Sequence, residues 1–269
     1  MNRLHDQHLH SNYSFDSKEN LEKYYKLASE LGCSYFVTTE HIEFDSVFNR
    51  KDWTVDFDSM KKDLNNFSKK YPNVKPLLGV ELGYRKDKLK EMNNLIASQP
   101  FDVINMSIHD NGKHDYYMKK DFIELGVDKM LDIYFNNAID GVKTFKDYDV
   151  LSHIDYGFKT AYTVNNTLDI KNYKHYLVEI FNEVVKNNKV LEINYKVQKT
   201  INDDNHLLDL LHIYKECGGT KLSLSSDAHF LEQLVDYYKE QEHYFNLIKQ
   251  AGFKELYYFI NRKEYKIIL

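Results

Sequence analysis

Residues 75–83 read KPLLGVELG, a short apolar run in which one carboxylate, Glu81, lies near the end between two glycines. Short runs of this kind, bounded by polar residues, are typical of buried β-strands. Helical spacing of apolar residues follows at positions 86–96. The stretch therefore predicts a strand that presents a polar side chain near its end and is followed by a helix.

The same alternation of strand and helix continues along the chain. Six further strands are predicted at residues 4–8, 35–41, 103–109, 148–154, 190–195 and 221–225. Further helices are predicted at residues 20–31, 58–71, 128–145, 173–187, 205–216 and 241–250. The tail LYYFINRKEYKIIL is β-like, and its place in the fold stays open. Regular alternation predicts an α/β fold with a parallel sheet, either open and doubly wound or closed as a barrel.

Polar residues at the strand ends favour the barrel. An open sheet concentrates its functional residues at one switch point, whereas every strand of a barrel delivers side chains to one mouth. Nearly every predicted strand here ends in histidine or carboxylate residues. No linker rich in Pro, Gly or Ser interrupts the chain, so we expect a single domain over residues 1–269.

Composition limits the classes of partner. The net charge is −5 and the pI is about 6.2, so a general basic field for nucleic acid is absent. No run approaches the ~20 apolar residues of a membrane span, and the first twenty residues contain no signal-like apolar region. Cys33 and Cys217 lie too far apart in sequence to suggest a disulfide framework. We expect a cytoplasmic protein with a small-molecule partner, and with neither nucleic acid nor membrane as a partner.

Nine histidine and carboxylate residues fall at or near the predicted strand ends. In His8-Leu9-His10 the strand period of two points both imidazoles to the same side. Six of the twelve histidines occur in such positions, which isolated hydrogen-bonded core histidines would not explain. The nine residues are His8, His10, Asp16, His41, Glu81, His109, His153, Asp227 and His229.

Nine nitrogen and oxygen donors exceed what one ion can bind. They predict at least two divalent ions, with a carboxylate such as Glu81 bridging them. Imidazole and carboxylate without thiolate suit Zn, Mn or Fe, and the donor set does not separate these metals.

Seven segments carry a family resemblance. In order, DQHLHSNYSFDS, TTEH, GVELGY, NMSIHD, LSHIDYGFK, LEINYKVQK and SLSSDAH resemble the motifs of the PHP (polymerase and histidinol phosphatase) superfamily. The resemblance spans the whole chain, and the opening motif with the SHID and LEIN segments looks most like the monofunctional histidinol-phosphate phosphatases. It implies the PHP fold, a distorted (β/α)7 TIM-like barrel.

The resemblance also implies a division of the ligands among three ions. The first set is His8, His10, Glu81 and Asp227; the second is Glu81, His109 and His153; the third is Asp16, His41 and His229. Glu40 stands where many members of the superfamily have Asp, and we expect it beside the ligand His41 and not on an ion.

The implied activity is metal-dependent hydrolysis of L-histidinol phosphate to L-histidinol and phosphate, a step of histidine biosynthesis. A hydroxide bridging two ions would attack phosphorus while the third ion and a lysine pair hold the phosphoryl oxygens. Lys159 and Lys199 stand where the phosphatases have a basic residue, often arginine. Lysine has the same charge but cannot form the two parallel hydrogen bonds of a guanidinium group. Asp115 and Tyr117 are candidate partners for the ammonium and imidazole of histidinol.

Three other functions are weighed against this one. A PHP phosphoesterase acting on nucleotides or other small phosphate esters would use the same site, and a nucleic-acid end is disfavoured by the acidic pI. A barrel amidohydrolase also begins with HxH, but SIHD and DAH fit its pattern poorly. A scaffold without catalysis would be expected to have lost ligands, and all nine are present.

Overall fold

The computed structural model describes residues 4–269, and seven of its strands form one sheet in the order β2-β1-β3-β4-β5-β6-β7. Every neighbouring pair is parallel except β1 and β2, which form an antiparallel hairpin. The strands are β1 (Tyr35–Ser46), β2 (Lys51–Trp53), β3 (Lys75–Gly83), β4 (Val103–Ser107), β5 (Val150–Leu151), β6 (Val190–Asn194) and β7 (Leu222–Ser225). The parallel sheet expected from the sequence is confirmed.

Helices follow the strands and cover the sheet. Those of the described residues are α1 (Leu21–Glu30), α2 (Phe57–Lys70), α3 (Leu89–Ser98), α4 (Lys119–Leu125), α5 (Val127–Thr144), α6 (Tyr156–Val164), α7 (Lys174–Lys186), α8 (Tyr195–Ile201), α9 (Asp204–Glu216) and α10 (Leu231–Gln250), with short 3₁₀ helices at Lys86–Lys88 and Ile170–Tyr173. The sequence did not predict β2, α4, α6 or α8, and α10 begins ten residues before its predicted start. None of the described helices is long and apolar enough to cross a membrane.

The predicted first strand, residues 4–8, is wrong as a regular strand. Asp6 Oδ1 accepts hydrogen bonds from the backbone N–H groups of His8 (3.0 Å) and Ser226 (3.1 Å), so a side chain takes donors that a strand ladder would use. One isolated parallel bridge joins Leu9 to Ala228, just beyond β7. On its other side, the Leu9 carbonyl accepts from Thr39 N on β1 at 2.9 Å. The segment thus connects β7 with β1, as in the closed barrel that the sequence predicts.

The inward face of the strands begins with an apolar layer. Val37, Leu77, Val103, Val150 and Val190 form a buried cluster with Tyr257 and Phe259, separate from the main core beneath the helices. Tyr257 and Phe259 belong to β8 (Glu255–Ile260), which pairs with β9 (Lys263–Ile268) in an antiparallel hairpin. We call this cluster the apolar plug. The hairpin formed by the β-like tail therefore covers the end of the barrel that carries the strand N-termini.

Candidate metal centre

A cavity of about 450 Å³ opens at the C-terminal ends of the strands, where active sites of barrel enzymes lie. Six of the nine predicted ligands line it directly: Asp16, His41, His109, His153, Asp227 and His229. One wall is aromatic, because the rings of Phe15 and Trp53 stack at 4.4 Å and Phe48 meets both edge-on. The volume suits a small-molecule ligand.

The Glu81 carboxylate, fully buried on β3, lies at the centre of the predicted ligands. Nitrogen atoms of five histidines approach its two oxygens. The distances are 3.1 Å to His8 Nε2, 3.3 Å to His10 Nε2, 2.9 Å to His41 Nδ1, 3.2 Å to His109 Nε2 and 2.8 Å to His153 Nε2. A carboxylate in this position can bridge ions.

The other three predicted ligands extend the cluster toward the cavity. Asp227 Oδ1 lies 3.4 Å from His10 Nε2, and Asp16 Oδ2 lies 3.0 Å from His229 Nε2 and 3.5 Å from His41 Nε2. All nine side chains therefore form one connected group.

Four overlapping sets of donor atoms lie close enough to share an ion. They are His10 with His41 and His229, His8 with His10 and Asp227, His8 with Glu81 and His153, and His41 with Glu81 and His109. The three sets implied by the resemblance divide these residues differently and add Asp16, which lies near His41 and His229, and His41 is nearer Glu81 than expected.

Unpartnered donor atoms at the centre of the cluster fit a cation site. His8 Nε2, His10 Nε2, His41 Nδ1 and Glu81 Oε2 are buried and have no hydrogen-bond partner among the described residues. Buried polar atoms are normally paired, so four such atoms pointing at one region indicate a missing ligand. Imidazole nitrogens around a carboxylate are donors that divalent transition metals prefer.

Carboxylates orient two of the histidines by contacting the ring nitrogen that faces away from the cluster. His8 Nδ1 lies 2.7 Å from Glu192 Oε1, and His109 Nδ1 lies 2.6 Å from Glu43 Oε1. A carboxylate only accepts hydrogen bonds, so each Nδ1 carries a hydrogen and each Nε2 is the ring atom left to bind an ion. Glu192 also accepts from the backbone N of His153 at 2.9 Å. These contacts fix the ring tautomers that metal binding requires.

Glu40 acts through the loop before α1, as expected. Its carboxylate accepts hydrogen bonds from Ser11 N (2.9 Å), Ser11 Oγ (2.5 Å) and Ser14 Oγ (2.6 Å). Ser14 Oγ in turn lies 3.3 Å from His10 Nδ1. Glu40 therefore positions the loop that holds His10.

The cluster strongly favours positive charge at its centre. Burial raises the pKa of Glu81, but the neighbouring His8, His41 and His109 outweigh burial and hold this pKa well below its usual value. Burial lowers the pKa of His8, but Glu192 and Glu81 outweigh it and raise this pKa well above its usual value. The carboxylates of Glu192 and Glu81 thus attract positive charge to the histidine nitrogens, as a cation site requires.

Two of the predicted ligands have backbone conformations that L residues rarely adopt. The φ angle is 21° at His153 and 54° at Asp227. Strained backbone of this kind persists where surrounding contacts enforce it, and it concentrates at functional sites. At both positions it aims a side chain from the end of a strand into the cavity.

The structure corrects the predicted lysine pair. Lys159 on α6 lines the cavity, with its ammonium 4.1 Å from the Tyr156 ring centroid. Lys199 lies outside, because its ammonium pairs with Glu240 at 2.5 Å on an exposed surface. Lys196, one helical turn earlier on α8, lines the cavity instead, 3.1 Å from His229 Nδ1 and 3.5 Å from Asp227 Oδ1. Burial, together with the charge of Lys196, lowers the pKa of Lys159 to about 8.

Asp115 and Tyr117, the candidate partners of histidinol, both line the cavity. Asp115 Oδ1 accepts from Tyr117 N at 2.8 Å, and the Tyr117 side chain is exposed at the rim. Burial raises the pKa of Asp115. Two other carboxylates of the cavity already have partners, Glu43 through a hydrogen bond from His109 and Asp110 through an ion pair with Arg85.

Sequence reasoning missed three contributors to the site: Glu43, Glu192 and Lys196. Glu192 belongs to the LEIN motif, and its position on the inward face of β6, level with the other strand ends, could have identified it. Glu43 was missed because the predicted strand ended at His41. The strand β1 continues to Ser46, so Glu43, two residues after His41, also faces the cavity.

Comparison with known proteins agrees with this geometry. The PHP domain model matches residues 6–196, more than half of the chain. A histidinol-phosphatase of Lactococcus lactis subsp. lactis strain IL1403 is 27% identical over 261 residues, covering 96% of this chain and 95% of that protein.

Two solved structures are also similar. A crystal structure of histidinol phosphate phosphatase from Lactococcus lactis subsp. lactis, in complex with zinc, L-histidinol and phosphate, is 26% identical with a TM-score of 0.82, and covers 97% of this chain and 98% of that chain. A protein of Listeria monocytogenes, 14% identical, has a TM-score of 0.70 over 87% of this chain and 98% of its own, which shows the fold alone. On the family match, the chain belongs to the PHP domain family.

Proposed function

We propose that this chain is a metal-dependent phosphomonoesterase that hydrolyses L-histidinol phosphate to L-histidinol and phosphate, and so serves histidine biosynthesis. The proposal depends on one connected group of nine histidine and carboxylate side chains, with the buried Glu81 at its centre, beside a cavity that contains two lysines. The Lactococcus phosphatase that binds zinc, L-histidinol and phosphate is similar over nearly the whole chain, which supports the choice of substrate.

The nine residues would hold two or three divalent ions, of Zn, Mn or Fe. One ion of coordination four to six cannot use all nine donors, and the four overlapping donor sets support at least two positions. Divalent ions held there would activate water as a nucleophile and offset the charge of the phosphoryl group.

Lys159 and Lys196 would bind the phosphoryl oxygens. Both line the cavity next to the cluster, and the effect of Lys196 on the pKa of Lys159 means that the two ammonium groups face a common region. A dianionic phosphate between them would relieve this repulsion and accept a charge-assisted hydrogen bond from each.

Asp115 would hold the ammonium group of histidinol. Unlike Glu43 and Asp110, it has no ion-pair partner among the described residues, so its carboxylate is available to a cationic ligand. The rings of Tyr117 and Tyr156 lie on the same side of the cavity, and both approach Lys159. A planar imidazole would pack against them.

One observation favours a second candidate, a phosphoesterase for nucleotides or other small phosphate esters. The stacked Phe15 and Trp53 rings with Phe48 form an apolar wall that could pack against a nucleobase as well as an imidazole. This candidate keeps the metal centre and changes only the leaving group.

The two candidates are separated by kcat/KM for phosphate release from L-histidinol phosphate, sugar phosphates and nucleotides, measured with protein loaded with Mn or Zn. We expect a preference for L-histidinol phosphate of at least tenfold. Equal or faster release from nucleotides would replace the first candidate with the second. His153→Ala and Asp227→Ala should abolish release from every ester with the fold retained.

A cytoplasmic location is part of the proposal, since it is where the pathway intermediate would be met.

A further inference from the structure

The barrel interior between the apolar plug and the metal cluster is polar. Along each strand, inward-facing residues alternate with outward-facing ones. The residues of the apolar plug face inward, so the residue two positions after each of them also faces inward. Ser223 on β7 pairs in register with Glu192 and faces the same way. We call Thr39, Asn105, Ser152, Glu192 and Ser223 the polar layer.

Four side-chain atoms of the polar layer lack a partner. Each of these side chains is at most 3% exposed, and none of the four atoms has a hydrogen-bond partner among the described residues. The atoms are Thr39 Oγ1, Asn105 Oδ1, Ser152 Oγ and Ser223 Oγ. Single unpaired atoms occur in many proteins, but four from four strands in one layer indicate a common ligand.

Glu192 does not satisfy these groups. Its carboxylate already accepts from His8 Nδ1 (2.7 Å), His153 N (2.9 Å) and Asn194 Nδ2 (3.2 Å). Asn105 donates through Nδ2 to the Gln7 carbonyl at 2.9 Å, which leaves its Oδ1 in need of a donor. A ligand of the layer would therefore engage one amide oxygen and three hydroxyl groups.

Water meets this requirement, and we propose that the polar layer binds a small cluster of ordered water molecules beneath the metal centre. A buried water makes about three hydrogen bonds to otherwise unpaired groups, so about two molecules could satisfy all four atoms. A monovalent cation fits less well. Its charge would need a carboxylate to offset it, and the one carboxylate of the layer has its oxygens engaged by three N–H donors.

The water cluster would link β1, β4, β7 and the residue after β5 across the barrel axis, level with Glu192. Four predicted ligands lie within β1 or just beyond the other three strands: His41, His109, His153 and Asp227. The bound water therefore stabilises the framework of the site and takes no part in the chemistry.

Thermal unfolding of the metal-loaded protein provides the test, because Thr38 offers a matched control. Thr38 is buried and its Oγ1 is also unpartnered, but it is one position from Thr39 and so faces outward, toward the helices. Thr39→Val should lower the Tm by about 2–4 °C through loss of a hydrogen bond to water. Thr38→Val removes a hydroxyl with no partner, and its Tm should stay within about 1 °C of the unmodified protein or rise. Equal shifts in both variants would overturn the proposal.

A second measurement counts the water directly. Magnetic relaxation dispersion of ¹⁷O water should detect fewer long-lived internal molecules in the Thr39→Val/Ser223→Ala double variant than in the Thr38→Val control. An unchanged number would overturn the proposal. A Tm that depends on whether sodium, potassium or choline chloride is present, at constant ionic strength, would assign the layer to a cation instead. None of these readouts uses phosphate release, so their outcome is independent of the proposed activity.

Discussion

Replacement of Lys196 by methionine removes one ammonium group from the cavity and keeps most of the side-chain stem. In the structure this ammonium lies 3.1 Å from His229 Nδ1 and 3.5 Å from Asp227 Oδ1, at the boundary between the metal cluster and the open cavity. If this ammonium binds a phosphoryl oxygen, its loss weakens the binding of both the transition state and the substrate.

The expected magnitude follows from the type of bond and the exposure of the group. A hydrogen bond between charged partners contributes about 1.5–3 kcal/mol. The Lys196 side chain is 34% exposed, so solvent screening favours the lower part of that range, about 1.5–2 kcal/mol. At about 1.36 kcal/mol for each factor of ten, kcat/KM should fall by roughly 10- to 30-fold.

Lys199→Met is the matched control, since it removes the same group one helical turn away. Lys199 is exposed and pairs with Glu240, and surface pairs of this kind contribute little. Its kcat/KM for L-histidinol phosphate should stay within about twofold of the unmodified chain, a range typical of a surface change without a site contact. The reasoning is refuted if the two variants lose activity equally, or if only Lys199→Met is impaired.

Three further predictions concern the remaining parts of the site. Glu192→Gln cannot accept from both His8 Nδ1 and His153 N, so divalent-ion affinity should fall about 10- to 100-fold in a chelator competition; unchanged affinity would contradict the tautomer assignment. The Lys159 ammonium, with a pKa of about 8 because of burial and Lys196, loses its proton as pH rises through that value. Therefore kcat/KM should decline above about pH 8, and Lys159→Arg, which stays protonated, should extend the plateau; identical pH profiles would remove Lys159 from substrate binding. Asp115→Asn should raise KM for L-histidinol phosphate about tenfold and leave an aryl phosphate without an ammonium group nearly unaffected; equal effects on both esters would exclude an ion pair with Asp115.

Much of the site could be predicted from the sequence because its ligands obey local rules. His8 and His10 flank Leu9, whose single bridge to Ala228 keeps the local i, i+2 relation, and the C-terminal position of Glu81 on β3 fixes the end of the barrel at which it appears. These properties depend on a few neighbouring residues and on the regular alternation of strand and helix. The seven-stranded sheet and the cluster of donors followed from the same information.

The lysine pair could not be placed in this way. Lys196 and Lys199 lie on α8, which begins at Tyr195 directly after β6, with Asn194 Oδ1 accepting from Val197 N at 3.1 Å as the helix cap. Which of the two lysines faces the cavity depends on the rotation of that helix about its axis. Packing against the neighbouring helices α6 and α9 sets this rotation, and the sequence does not reveal it.

The first segment shows a second limit. Residues 4–8 have the composition of a strand, but Asp6 binds the backbone N–H groups of His8 and Ser226 and interrupts the ladder. A contact across more than two hundred residues is not visible in a local pattern. The polar layer was missed for a similar reason, since its members come from different strands and meet only when the barrel closes.

The central claim is that the nine donors hold at least two ions that are needed for phosphate ester hydrolysis. Its most direct test is titration of metal-stripped protein with Mn or Zn while phosphate release from L-histidinol phosphate is recorded. We expect no release without metal, a rise that is complete only after two or more equivalents of ion per chain, and loss on addition of chelator. Release by the metal-free chain, or no release at full metal loading, would contradict it.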